Sequence, residues 1–92
     1  MKAAVLNGPQ TPLEMHDLTI DEPGAGEALV RVVVAGVCHS DLHFIEGTYP
    51  GRYPMVLGHE VAGIVEEVGP GVTNVVRGDR VIMGFVQPCG HC

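Results

Sequence analysis

All three cysteines and four of the five histidines of this 92-residue chain fall in three short runs: Cys38-His39-Ser40-Asp41-Leu42-His43, Gly58-His59-Glu60 and Cys89-Gly90-His91-Cys92. Thiolate and imidazole crowded together suit zinc, which takes sulfur at about 2.3 Å and imidazole nitrogen at about 2.0–2.1 Å. Cys38 and His59 lie 21 residues apart, one at the end of a strand-like run and one in a glycine-flanked turn. Two donors on separate rigid elements are typical of a catalytic metal. Each residue also has a plainer reading. Cys38 could be a small buried hydrophobe closing a valine-rich strand, and His59 could cap its turn. Ser40 and Asp41 could cap a helix start, a task compatible with serving a site. His43 could be solvated and Glu60 an ordinary surface carboxylate. It is the clustering that favours ligation. His16 belongs to no cluster and is expected at the surface.

The elements that must hold these residues are short. Lys2 to Leu6 reads as a strand ended by Asn7-Gly8-Pro9. Leu13 to Ile20 is a second candidate, with only rough alternation. Ala28 to Val37 is the surest strand, rich in valine with Arg31 as its one charge. A short helix opened by His39 or Ser40 follows, with Leu42 and Ile45 on one face. Gly47 to Pro54 carries two glycines and two prolines and reads as an irregular loop. Val61 to Val68 and Arg80 to Gly84 complete the strands. Gly63, Gly69, Gly71 and Gly78 are assigned to turns and close packing. Short strands separated by frequent turns imply a mainly β domain, an antiparallel barrel or sandwich with little helix.

Composition bounds the rest. Eleven acidic against five basic residues give a net charge of −6. The chain has no basic stripe for nucleic acid and no cationic cluster for a membrane surface. Its apolar runs are far shorter than the ~20 residues that span a bilayer. An odd number of cysteines behind an N-terminus without an export-type apolar core suggests reduced thiols in the cytoplasm.

Cys38-x-Ser40-x-x-His43, then Gly58-His59-Glu60-x-x-Gly63-x-Val65-x-x-Val68-Gly69-x-Gly71-Val72, then Gly78-Asp79-Arg80-Val81, resemble the zinc-dependent medium-chain alcohol dehydrogenases. The resemblance runs over essentially the whole chain. It implies a partly open GroES-like β-barrel with one or two short helices. It implies Cys38 and His59 as catalytic-zinc ligands, a third ligand lying far beyond position 92. It further implies that Ser40 hydrogen-bonds the alcohol, that His43 carries the proton to solvent and that Asp41 orients a ligand imidazole. Glu60 would be an acidic neighbour of the zinc, and His39 would lie near the pyrophosphate of NAD or NADP. Cys89 and Cys92 resemble the opening of a second, structural zinc site, which two thiolates alone cannot close.

The expected reaction is oxidation of an alcohol to an aldehyde or ketone, or its reverse. Zinc lowers the pKa of a bound water from about 15.7 to about 7. A shift of roughly eight units is worth about 11 kcal/mol, against about 1 kcal/mol for one hydrogen bond. Activation is thus the metal's part, and Ser40 and His43 supply a proton route.

A chain that stops inside a metal-binding run, with no Gly-x-Gly-x-x-Gly between a strand and a helix, is expected to be a truncated N-terminal domain. Residues 1–92 would form it, the Rossmann domain would follow, and this piece alone would be inactive. The whole enzyme would be a homo-oligomer acting on a small alcohol or aldehyde. The rival readings are a zinc-free reductase of the same superfamily, for which Cys38 and His59 are superfluous, and a non-enzymatic barrel, co-chaperonin-like or metal-stabilised.

Overall fold

A computed structural model describes residues 1–86 and 88–89 of the chain. It divides into two units, one from Met1–Asp21 and Val37–Gly58, the other from Glu22–Gly36 and the chain from His59 onward.

In the first unit, β1 (Lys2–Leu6) lies between β2 (Glu14–Asp17) and β4 (Met55–Val56) in an antiparallel sheet. The apolar residues of β1 make it the centre: Ala3, Val5 and Leu6 are buried, Leu6 completely. Burial of a side chain such as Leu6 contributes about 1.5–3 kcal/mol. β2 is shorter than the run from Leu13 to Ile20 suggested, because its register spans only Lys2↔Asp17 to Val5↔Glu14. β4 lies just past the glycine- and proline-rich loop; two residues are too few to show a period in the sequence.

The helix α1 (His39–Glu46) belongs to this unit. Its N-cap is Cys38 rather than His39 or Ser40, with extended backbone at φ −110° and ψ 155°. Its C-cap is Gly47 at φ 85°, the left-handed conformation that glycine adopts without a Cβ penalty. The loop after β1 secures the same end: Gln10 donates its backbone N–H to the Ile45 carbonyl and its side-chain amide to the Glu46 carbonyl.

In the second unit, β5 (Glu60–Val68) is flanked by β3 (Ala28–Gly36) and β6 (Arg80–Ile82), all antiparallel. β3 is the strand its valines predict, but its register with β5 shifts twice, between Leu29 and Val30 and between Val32 and Val34. Such bulges bend a strand and raise its twist. Gly63 sits opposite Val32, where an added Cβ would come within 2.5 Å of the Arg31 carbonyl oxygen. Arg31 pairs with Glu66 across the ladder at 3.3 Å. Val65 is the buried apolar residue of this unit, whereas Val32, Val33 and Val34 are all more than half exposed. Strand propensity thus located β3 without saying which face is covered. Among the described residues α1 is the single α-helix, and no helix is long and apolar enough to cross a membrane.

Candidate metal centre

Cys38 stands where β3 has ended and α1 begins. The Asp41 carboxylate accepts a hydrogen bond from the Cys38 N–H at 3.1 Å, and the Asp41 N–H donates to the Cys38 carbonyl at 3.0 Å. Asp41 is buried. Its position at N3 of the helix lets one short side chain satisfy the N-cap backbone donor, the task of a capping-box acid. Cys38 is therefore held at its backbone by the residue the resemblance named as an orienting carboxylate.

His39, Ser40 and His43 occupy the helix itself. His39 and His43 are one turn apart, their ring centroids 5.1 Å from each other. His43 also meets the Tyr49 ring at 4.8 Å. Its Nδ1 is buried and has no hydrogen-bond partner among the described residues. A buried polar atom without a partner costs about 1–3 kcal/mol, so such an atom in a site points to a ligand group that completes it. Ser40 is half-buried near the helix start.

Glu60 opens β5, and His59 immediately precedes it. His59 is half-buried, its Nε2 3.9 Å from a Glu60 carboxylate oxygen, and the Phe85 ring meets it edge-on at 5.7 Å. Glu60 pairs with Gly36 at the last rung of the β3–β5 ladder. A Cβ on Gly36 would stand 2.6 Å from the Glu60 Oε1, so the missing side chain is what leaves room for the carboxylate.

Cys38 follows the end of β3 by two residues, and His59 immediately precedes β5. Cys38, His59 and Glu60 offer a sulfur, a ring nitrogen and a carboxylate oxygen. Thiol, imidazole and carboxylate form a donor set that fits zinc. Cys89 is exposed, while Cys92 and His91 lie outside the described residues.

Residues 24–92 match the family model for the alcohol dehydrogenase GroES-like domain. The chain belongs to the alcohol dehydrogenase GroES-like family. It is 50% identical over 91 residues to an NDMA-dependent alcohol dehydrogenase of Amycolatopsis methanolica, covering 99% of this chain and 24% of that protein. It is 48% identical over 92 residues to an S-(hydroxymethyl)glutathione dehydrogenase of Photobacterium damsela, covering 99% and 25%. The solved benzyl alcohol dehydrogenase of Acinetobacter calcoaceticus superposes with a TM-score of 0.92 at 42% identity, over 99% of this chain and 25% of that one. This GroES-like chain thus spans about a quarter of the length of the curated relatives it matches. The mainly β, open-sheeted GroES-like fold expected from the motifs is the observed one.

Two neighbours of the candidate residues, Phe85 and Gly36, escaped the sequence reading, which offered Tyr49 only as cleft lining in the irregular loop and not as a partner of His43. Tyr49 beside His43 and Phe85 beside His59 carry no spacing signal, since each arrives from a loop. Gly36 could have been suspected from a glycine ending a valine run, a common sign of close approach in a strand.

Proposed function

We propose that the complete polypeptide containing this chain is a zinc-dependent, NAD- or NADP-linked alcohol dehydrogenase that interconverts a small alcohol with its aldehyde or ketone. The observation that carries the reading is the family match over residues 24–92, in a chain that has thiol, imidazole and carboxylate donors at Cys38, His59 and Glu60. When bound, zinc supplies the Lewis acidity that makes a hydroxyl acidic and the nicotinamide accepts the hydride. Every other task falls to side chains.

Cys38 and His59 would hold the metal, and Glu60 would serve as an acidic neighbour of it. Asp41 fixes the backbone from which Cys38 projects. Ser40 takes the hydroxyl proton of the substrate, and His43 delivers it to solvent; its unpartnered Nδ1 is the atom available to a ligand hydroxyl. His39, exposed at the start of α1, would bind the cofactor phosphates. Cys89 and Cys92 open a separate structural zinc site whose other ligands lie further along. A reducing compartment such as the cytoplasm suits these thiols, and the whole enzyme is a homo-oligomer.

Metal analysis and alcohol-oxidation assays of the complete protein test this. Cys38→Ser and His59→Ala should each lose a zinc equivalent and nearly all activity. Cys89→Ser should instead lose thermal stability while the chemistry per folded molecule persists. Full activity in metal-depleted Cys38→Ser would refute the assignment.

A further inference from the structure

We propose that Tyr49 is a positioning residue that holds the His43 imidazole in the orientation its proton transfer needs, an inference that rests on the relay role given to His43 above. The neutral ring of a histidine turns about a broad, roughly two-fold torsion, so something must select its orientation. A hydrogen bond to Nδ1 ordinarily does this, but Nδ1 of His43 is buried and has no such partner among the described residues. The selection then falls to ring packing. Tyr49 lies 4.8 Å from His43 with the planes tilted by 50°, and His39 lies on another side at 5.1 Å.

The backbone puts Tyr49 there. α1 ends in the left-handed turn at Gly47, φ 85°, after which the N–H groups of Thr48 and Tyr49 both donate to the carbonyl of His43 itself, at 2.9 and 3.3 Å. Tyr49 is therefore tethered to the main chain of the residue whose side chain it contacts. Phe44 also meets the Tyr49 ring, at 5.5 Å with the planes at 77°. The Phe44 carbonyl in turn accepts a hydrogen bond from the Tyr53 hydroxyl at 3.3 Å. Nothing in this arrangement uses the Tyr49 hydroxyl, so a phenylalanine ring should serve as well.

A double-mutant cycle in the complete enzyme tests the idea. Tyr49→Leu should lower kcat roughly threefold to tenfold, the range that corresponds to one aromatic pair, with zinc content and the KM for alcohol unchanged. Tyr49→Phe should restore the rate. In a His43→Gln background Tyr49→Leu should cost nothing further, since its effect passes through that ring. An equal extra loss in that background, or a change in KM alone, overturns the inference. If His43→Gln proves as fast as the parent, the relay reading itself falls. The ring ¹⁵N resonances of His43 then decide the positioning separately: displaced by Tyr49→Leu they support it, unmoved they overturn it. Tyr49→Met replaces Tyr49→Leu in every arm if the latter does not fold.

Discussion

The carboxylate of Asp41 accepts the backbone N–H of Cys38 at 3.1 Å from inside a buried position. A metal-ligand candidate and a helix cap thereby share one interaction, so damage to the cap should reach the metal.

Asp41→Ala should cost at least about 1 kcal/mol of stability, the usual value of a lost cap, read as a lower denaturant midpoint in the complete protein. Asp41→Asn keeps an acceptor oxygen and should recover part of that loss. In both variants metal affinity should fall along with stability. An Asp41→Ala protein with unchanged stability and metal content would refute the shared role.

Three glycines of the second unit should respond differently to alanine. A Cβ at Gly69 would sit 1.8 Å from the Gly24 carbonyl oxygen, and one at Gly63 would sit 2.5 Å from that of Arg31. Both obstacles are backbone, which cannot swing aside, so each substitution should cost at least about 2 kcal/mol, Gly69→Ala the more. At Gly71 the space is open and only its φ of +81° opposes a side chain, so Gly71→Ala should cost about 1 kcal/mol. Thermal melts of the three variants give the ranking.

Gly36→Ala should act on the site more than on the fold. Its Cβ would meet mainly the flexible end of Glu60, with Oε1 at 2.6 Å and Cβ at 3.2 Å. The carboxylate can move away, but then it leaves its place near His59. Competition with a chelator should show metal affinity lowered about tenfold, the low end for a disturbed ligand neighbour, with the melting temperature nearly unchanged.

Glu14 should give the β1–β2 pair a share of its pH dependence. A hydrogen bond from His16, then one from Asn7, holds its carboxyl below the ordinary 4.5. An acid whose folded pKa is depressed adds stability above its unfolded pKa and loses it as pH falls through the lower, folded value. The hairpin should therefore loosen on acidification below about pH 4.5. Amide hydrogen exchange of β1 and β2 should show that acid step in the parent and a smaller one in Glu14→Gln.

Residue type and spacing made the chemistry legible. Sulfur and imidazole at Cys38 and His59 are atoms that can ligate zinc in any fold, and the runs around them are specific enough to indicate the family. β1, β3 and β5 were legible for a related reason: valine, isoleucine and leucine in short runs between turn residues favour extended backbone locally. What lay beyond local preference was not legible. The ladder register decided that Gly36 faces Glu60 and that Gly63 must be bare. The turn at Gly47 decided that Tyr49 returns to His43. The valines of β3 show the limit most clearly, because their type predicts a strand whatever covers it. A side chain states which bonds it can make; which atoms stand opposite it depends on backbone paths that separate stretches of the chain set together.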